Sequence, residues 1–305
     1  LPAHRGLQPL APGFYALAKR YAVADRYFAT LLGPTFPNRE YLYAATSFGR
    51  TGNDVFTTRQ PTLMDALERA AVPWHIYYET IPGYGAFLQN LGYYFGARLG
   101  TTSEFFANAK AGTLESVVFL DPDLANEWGG GNDLHPPGDV QVADAYLAKV
   151  VEALTQSPQW PHLALIITFD EHGGLYDHVP PPSACPPDGL LPDAQDPPGA
   201  RFDRYGFRVP TIVVSPYARP GYVSHAIYDH GSVVRFIQRN GAQIDEAATV
   251  IAMGRLNDVW EFDLPSLTWA MLYAPDLPRG YGDLGKDTSD CAFKDGILVT
   301  KRGGP

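Results

Sequence analysis

The residue types best suited to chemistry stand together near the middle of the chain, in the segment IITFDEHGGLYDHVP (residues 166–180). A largely apolar run ends at Asp170, Glu171 follows it, and two glycines come shortly afterwards. A bend at those glycines would let both carboxylates turn toward one point, where their oxygens would suit a hard divalent cation. The pattern therefore predicts a metal site with Asp170 and Glu171 as ligands. The alternative is that Asp170 caps the following loop and Glu171 is solvated.

A second polar stretch, GGGNDLHPPGDV (residues 129–140), is rich in glycine and precedes a helical pattern. Asn132 and His135 lie within four residues of each other there. An imidazole beside a divalent cation can contact a phosphate oxygen or protonate a leaving group. The alternative is an Asx turn, with Asp139 as the N-cap of the next helix.

A third stretch, GPTFPNRE (residues 33–40), puts Thr35 at the expected start of a helix. The N–H groups at a helix N-terminus favour anions. A hydroxyl there, next to a divalent cation, has what a nucleophile that accepts a phosphoryl group needs. The alternative is that Thr35 only caps the helix.

Length and composition are those of a globular protein. The chain has 305 residues, of which 45% are hydrophobic and 18% charged, enough for one large domain or two ordinary ones. The formal net charge of −10 disfavours nucleic acid as a partner, so an anionic ligand would need local positive charge or a metal. No run of 18 apolar residues is present, and the opening LPAHRGLQPLAPGFY lacks the pattern of a signal peptide. The chain could be a mature protein or a fragment.

The two cysteines, Cys185 and Cys291, allow either a disulfide or two free thiols, and they are too few for a cysteine-based metal site.

Apolar runs alternate with helical patterns along the chain, which predicts a mostly parallel sheet with helices on both faces. The predicted strands are residues 74–78, 116–123, 163–169 and 209–215, and the predicted helices are residues 12–24, the segment after Asn38, and residues 61–72, 140–154 and 230–241. Three of these strands end in Asp121, Asp170–Glu171 and Ser215. In an open parallel sheet, ligands bind beyond the carboxyl ends of the strands, so the polar residues lie where a site is expected. Residues 180–205 read as an irregular insertion and residues 275–305 as a weakly patterned tail.

Several long motifs together resemble a known family, the phosphoesterases that include the non-specific, phosphatidylcholine-preferring phospholipases C of bacteria and plants and related acid phosphatases. The motifs are DRYFATLLGPTFPNREYLYAATSFG, GGGNDLHPPGDV, SPQWPHLALIITFDEHGGLYDHVPPP and RVPTIVVSPYARPGYVSHAIYDHGSVVRFIQ. The resemblance covers residues 12–240 in the same order. It implies an alkaline-phosphatase-like α/β fold, a three-layer α/β/α sandwich around a central, mostly parallel sheet, in a single domain spanning residues 1–305.

The resemblance also implies roles for individual residues. Thr35 matches the family's nucleophile, and His135 matches a histidine that contacts phosphate. Asp170 and Glu171 match ligands of one divalent metal ion, whose identity stays open. The predicted substrate-binding residues are Asn38, Asn132 and His178. Other polar residues in the matching motifs are Arg39, Asp177, His225, Asp229 and His230.

One segment of the family is not found in the chain. Family members usually carry a sequence resembling E-N-R-S-F-D-H upstream of the part that matches residues 12–49, and its Glu and Asn complete the metal site. The resemblance therefore predicts a domain that lacks its first strand and holds the ion incompletely, unless Asp121 or Asn132 replaces the missing ligands.

The function implied is metal-assisted hydrolysis of phosphate esters through Thr35, as in a phospholipase C acting on glycerophospholipids. The alternatives are an acid phosphatase acting on phosphomonoesters and a non-catalytic, truncated family member. A sulfatase is disfavoured because its C-x-P-x-R pattern is absent. An extracellular or periplasmic location and peripheral contact with membranes are expected, with the aromatic residues of segments 92–95 and 105–106 as either lipid contacts or core.

Overall fold

The structure is a computed structural model that describes residues 10–126, 130–184, 186–187, 190, 192 and 202–240, and the backbone of four further strands between residues 259 and 300. Its helices are α1 (Pro12–Arg20), α2 (Thr35–Ala44), α3 (Leu63–Arg69), α4 (Leu88–Tyr94), α5 (Thr102–Ala111), α6 (Val140–Thr155) and α7 (His230–Asn240). Two short 3-10 helices cover Gly83–Ala86 and Trp160–His162.

The strands are β1 (Ala22–Ala24), β2 (Trp74–Tyr78), β3 (Leu99–Thr101), β4 (Val117–Asp121), β5 (Leu165–Ile167), β6 (Thr211–Val214), β7 (Val223–Ser224), β8 (Val259–Asp263), β9 (Thr268–Leu272), β10 (Cys291–Lys294) and β11 (Ile297–Thr300). One sheet has the order β3-β2-β4 with every pair parallel. A second has the order β5-β6-β1-β7, in which only β1 and β7 are parallel. The last four strands form two antiparallel hairpins.

The predicted α/β class is confirmed. The expected parallel pairing is also confirmed for β2 and β4. Strand β2 has core on both faces. Ile76 packs with Met64 and Trp74 in one hydrophobic cluster, while Tyr77 packs with Phe105 in another. A strand buried on both sides shows a continuous apolar run, which is why this element was readable from the sequence.

The predicted helix over residues 12–24 is wrong at its end. Helix α1 starts with Pro12 at its first position, as expected, but it stops at Arg20, and Ala22–Ala24 form β1. Strand β1 pairs with β6 on one side and with β7 on the other. Backbone hydrogen bonds on both sides outweigh the helical preference of the two alanines, so tertiary pairing decides the conformation.

The described part of residues 180–205 contains one isolated bridge, between Ser183 and Arg204. Ala184 is 5% exposed and packs with Phe28 and Tyr205, so the two ends of this segment lie together against the core. Cys185 lies outside the described residues, so the structure does not test the two alternatives of a disulfide with Cys291 and of two free thiols. Most of residues 275–305 also lie outside them, apart from β10 and β11.

Candidate active site

Thr35 is the first residue of α2 and is half-buried. The N-cap is Pro34, and no side chain caps the helix, so the alternative of Thr35 as the cap is not what the structure has. The N–H of Phe36 donates to Asn53 Oδ1 over 2.9 Å, which satisfies one of the free N–H groups of the first turn. Thr35 therefore begins the helix, and its hydroxyl does not act as the N-cap.

Asn38 holds the loop that leads into α2. Its side chain is buried, its Oδ1 accepts from Leu31 N–H, and its Nδ2 lies within hydrogen-bond distance of the carbonyls of Leu31, Gly33 and Pro34. Both amide hydrogens point into this loop, which gives Asn38 a structural role immediately before Thr35. Phosphate binding by Asn38 stays a prediction.

Asp170 is held by a buried arginine. Arg39 Nε donates to Asp170 Oδ2 over 2.8 Å, and Arg39 Nη1 donates to Asp121 Oδ1 over 2.7 Å. Asp121 is the last residue of β4, and Asp170 follows β5. Burial alone would lower the pKa of Arg39, but Asp170 and Asp121 outweigh it and raise that pKa well above its ordinary value. The arginine is a permanent cation between two carboxylates.

Gly83 makes room for this arginine. A Cβ atom built at Gly83 would lie 1.7 Å from Arg39 Nη1 and 2.7 Å from Asp121 Oδ1. The N–H of Gly83 donates to Asp121 Oδ2 over 2.8 Å, so Asp121 is bound at both of its oxygens. Asp121, one of the residues expected to replace a missing metal ligand, is engaged by Arg39 and by the backbone, and metal binding by it stays a prediction.

Glu171 lies near His135, which belongs to the second polar stretch, residues 129–140. Its side chain is 11% exposed, and its Oε1 lies 3.8 Å from His135 Nε2. Its Oε2 accepts from Gly173 N–H over 2.9 Å and lies 3.4 Å from His172 Nδ1. The alternative of a solvated Glu171 is therefore wrong. Gly173 has φ +63°, and a Cβ there would lie 2.9 Å from Pro136 Cδ, so a glycine lets the loops of Glu171 and His135 meet.

The tautomer of His135 follows from its neighbour. His135 Nδ1 lies 2.8 Å from the carbonyl oxygen of Pro136, which can only accept. In the neutral ring Nδ1 therefore carries the proton, and Nε2 is the atom that faces Glu171. The His135 side chain is 39% exposed, which leaves it open to a ligand from solution.

Arg39 relates the position of Thr35 to that of Asp170. The two residues are four positions apart in α2, and residues with that spacing lie on the same face of a helix, one turn apart. Since Arg39 binds Asp170, the N-terminal turn of α2 points its Thr35 face toward the end of β5. A common pocket for Thr35, His135, Asp170 and Glu171 agrees with these contacts and stays a prediction.

Asn132 and His178 have other contacts. Asn132 Oδ1 accepts from Asp123 N–H over 2.7 Å, and Asn132 Nδ2 donates to Glu79 over 2.9 Å, so this side chain ties its loop to the segments after β4 and β2. His178 is 60% exposed, with Nδ1 3.4 Å from Asp177. Phosphate binding by either residue stays a prediction. Asp139 is the N-cap of α6 and accepts from Gln141 N–H over 2.9 Å, as expected for the Asx alternative.

The donor set fits a divalent cation in part. Asp170 and Glu171 supply adjacent carboxylates, the hard oxygen donors that such ions prefer. In the part of the chain that the structure describes, no three His, Cys, Asp or Glu side chains are grouped so that they could hold a metal ion. The metal site therefore stays a prediction, with these two carboxylates as its protein ligands.

The fold and the position of these residues define a class of protein. Asp121 lies at the carboxyl end of β4 in the parallel sheet, where α/β proteins bind ligands, and Asp170 and Glu171 follow β5, which pairs antiparallel with β6. The fold is similar to that of a protein in the alkaline phosphatase superfamily from Vibrio parahaemolyticus, with a TM-score of 0.51 and 12% sequence identity over 79% of this chain and 62% of that one. This likeness assigns an alkaline-phosphatase-like fold.

The chain belongs to the phosphoesterase family, whose model matches residues 8–241. It is 36% identical over 254 residues to non-specific phospholipase C6 of Arabidopsis thaliana, covering 77% of this chain and 48% of that protein. It is 31% identical over 267 residues to phospholipase C B of Mycobacterium tuberculosis, covering 74% of this chain and 50% of that protein. The chain thus spans about half the length of the curated relatives it matches. Among the described helices, none is both long and apolar enough to cross a bilayer.

Proposed function

We propose that this protein hydrolyses phosphate esters through Thr35 with the help of one divalent metal ion, in the manner of a phospholipase C acting on glycerophospholipids. The observation that carries the proposal is the link from Thr35, through Arg39 one helical turn away, to Asp170. The family of the chain and the names of its relatives support the choice of phosphate esters.

In this proposal, Asp170 and Glu171 hold the ion. When bound, it would lower the pKa of a nearby hydroxyl and offset negative charge on the phosphoryl group. Glu171 offers Oε1 on the side of His135, and Asp170 keeps one oxygen on Arg39. The ion would also supply positive charge in a chain whose formal net charge is −10.

Thr35 Oγ1 releases its proton to solvent water, attacks the phosphorus and forms a P–O bond, while the bond from phosphorus to the glycerol oxygen breaks. The positive end of the α2 dipole, at Thr35, stabilises the negative charge on the transferred group. Protonated His135 gives the Nε2 proton to the departing glycerol oxygen, so diacylglycerol leaves as a neutral alcohol. Nδ1 keeps its proton on the Pro136 carbonyl throughout.

Water completes the reaction. His135, now neutral at Nε2, accepts a proton from a water molecule as its oxygen attacks the phosphorus, and the bond from phosphorus to Thr35 breaks. The Thr35 oxygen regains a proton, and the head-group phosphate is released. The sum is one ester and one water converted into one alcohol and one phosphomonoester, with Thr35 and His135 regenerated.

The direct test compares the parent chain with Thr35→Ala and Thr35→Ser, assayed on a chromogenic phosphodiester with and without chelator. We expect the alanine variant to lose at least about 1,000-fold in kcat, as for removal of a nucleophile. The serine variant keeps a primary hydroxyl and should retain measurable turnover. Full activity in Thr35→Ala, or turnover that chelator does not reduce, contradicts the mechanism.

The products separate the two classes of ester. Phosphatidylcholine in detergent micelles should yield phosphocholine, whereas a phosphomonoesterase would release inorganic phosphate from phosphocholine. The printed names of the relatives favour the first outcome. Calorimetric titration with Mg²⁺, Ca²⁺, Mn²⁺ and Zn²⁺ tests the non-catalytic alternative, because a remnant that only binds ligands need not take up any of these ions.

A further inference from the structure

Arg39 is the centre of a buried charge network that joins three separate parts of the chain. Its guanidinium reaches Asp121 at the end of β4 and Asp170 after β5, while its backbone belongs to α2. The side chain of Arg39 is 11% exposed, that of Asp121 7% and that of Asp170 22%. At this burial the attraction is poorly screened by solvent, so the contacts fix positions far better than a surface ion pair would.

The orientation of Asp170 is determined by both of its oxygens. Oδ2 accepts from Arg39, and Oδ1 accepts from the N–H of Glu171 over 3.0 Å. The side chain of Glu171 is held in turn, because its Oε2 accepts from the N–H of Gly173. Movement of the guanidinium would therefore be passed along the loop that carries both predicted metal ligands.

The same guanidinium is tied to the nucleophile through the helix. Arg39 and Thr35 share one face of α2 at a spacing of four residues. The position of Thr35 relative to Asp170 is then set by the Arg39 side chain and by one turn of α2. A lysine could not reproduce this, because a guanidinium presents several donors in a fixed plane, whereas an ammonium is a single point charge.

We propose that Arg39 is a positioning residue that fixes the distance between Thr35 and the Asp170–Glu171 pair, with Asp121 and the Gly83 N–H as its anchor. The inference rests on the proposed function for the meaning of that distance. It requires nothing of Arg39 in the chemical step itself, and the Nε and Nη1 groups on which it depends donate to Asp170 and Asp121.

The kinetic test is Arg39→Lys, with Arg98→Lys as the matched control. Arg98 also pairs with a carboxylate, Glu68, over 2.6 Å, but it lies just before β3, at the opposite end of the parallel sheet from Asp121. We expect kcat on a phosphodiester to fall about 10- to 100-fold in Arg39→Lys, with KM changed less than about 3-fold, because a displacement of about 1 Å costs that much. Arg98→Lys should behave as the parent.

A second variant separates the anchor from the direct contact. Asp121→Asn keeps the shape of the side chain and leaves the bond from Arg39 to Asp170 in place. We expect its kcat to fall by less than that of Arg39→Lys, about 3- to 10-fold. If both variants turn over at the parent's rate, the positioning role is excluded.

Amide hydrogen exchange tests the same claim without any turnover. The N–H groups of Glu171 and Gly173 are bonded to the carboxylates that Arg39 orders. We expect their exchange, measured relative to the amides of α5 in the same variant, to speed up at least about 10-fold in Arg39→Lys and to stay unchanged in Arg98→Lys. Unchanged exchange at these two amides would overturn the proposal. A parent chain that hydrolyses no ester would overturn the proposed function instead, while the exchange result would still decide on Arg39.

Discussion

His230 Nε2 lies 2.9 Å from the carbonyl oxygen of Asp170, and the Tyr27 hydroxyl lies 3.2 Å from His230 Nδ1. Because a carbonyl can only accept, Nε2 donates to Asp170 and Nδ1 accepts from Tyr27. Burial lowers the pKa of His230 to about 4, so the imidazole is neutral near pH 7, as this pair of bonds requires. Asp170 is thus held at its backbone by His230 and at its carboxylate by Arg39.

Replacement of His230 by leucine should destabilise the protein strongly. The substitution leaves the Asp170 carbonyl and the Tyr27 hydroxyl without this partner in a buried environment, where each lost partner costs about 1–3 kcal/mol. We expect a loss of roughly 2–5 kcal/mol in the free energy of unfolding, measured by urea denaturation. Tyr27→Phe is the control, because it removes the hydroxyl that contacts Nδ1 and Thr168 but keeps the bond from His230 to Asp170, and it should cost about 1 kcal/mol. A leucine variant as stable as the parent would show that the bond to Asp170 contributes nothing.

The elements that could be predicted from sequence are those with a strong local pattern. Helix α6 was expected over residues 140–154 and occupies Val140–Thr155, because its apolar spacing and its Asp139 cap act within a few residues. Strand β2 was predicted at its true bounds. By contrast, β3 and β7 have three and two residues, too short for a periodic signal, and they exist only through their neighbours.

The types of residue in the site could be predicted from sequence, but the contacts between those residues could not. Carboxylates at strand ends and a histidine in a glycine-rich loop are visible as local patterns. The bond from Arg39 to Asp170 spans 131 positions, and no local pattern encodes it. The sequence did offer one unused signal, since an arginine in a helix must find a partner if its side chain is buried. Asn38 is the opposite case. Its motif suggested a role in substrate binding, but its side-chain amide bonds to backbone carbonyls of the loop just before it.

A buried carboxyl on the other side of α2 should make stability depend on pH. Glu40 is fully buried, neither of its carboxyl oxygens has a hydrogen-bond partner among the described residues, and burial raises its pKa from 4.5 to about 8. The folded state therefore binds this proton more tightly than the unfolded chain. The resulting stability is present in full below about pH 4.5 and is lost as the pH rises through about 8.

Glu40→Gln removes this titration and should raise the free energy of unfolding at pH 9 by roughly 2–5 kcal/mol, with little effect near pH 4.5. The matched control is Glu152→Gln, since Glu152 is exposed on α6 and should leave the curve unchanged. The measurement is a series of urea titrations from pH 4.5 to 9. Parallel pH profiles for the parent and Glu40→Gln would show that Glu40 is ionised in the folded protein at neutral pH.

The loop after Glu171 carries the most exposed apolar side chains near the candidate site. Leu175 is 65% exposed and Tyr176 85%, beyond a turn in which the N–H of Leu175 donates to the His172 carbonyl. Of the aromatic segments considered from sequence, Phe105 and Tyr94 are buried, whereas Tyr93 and Phe95 are exposed. If the substrate is a lipid in a bilayer, the exposed pair beside the site should contact its surface.

A double substitution, Leu175→Ser with Tyr176→Ser, tests this contact. We expect hydrolysis of phosphatidylcholine in vesicles to fall about 10-fold, because the lost burial of two apolar side chains costs a few kcal/mol at most, while turnover of a soluble chromogenic ester stays the same. Phe95→Ser is the control, since Phe95 is 70% exposed but precedes β3, away from the site. Equal losses on both substrates would point to damage at the site instead of a lost lipid contact.

Gly83 should tolerate no side chain, because the space for its Cβ is occupied by the guanidinium of Arg39. Gly83→Ala must push Arg39 away from Asp121, and we expect it to lose roughly 2–4 kcal/mol of stability by urea denaturation, within the range for overpacking combined with a broken buried ion pair. Gly85→Ala is an internal control in the same 3-10 helix, since a Cβ there meets nothing within 4 Å and should change stability by less than about 0.5 kcal/mol. Similar stabilities for the two variants would mean that Arg39 can leave its place at little cost, and the rigid link from Thr35 to Asp170 would then be absent.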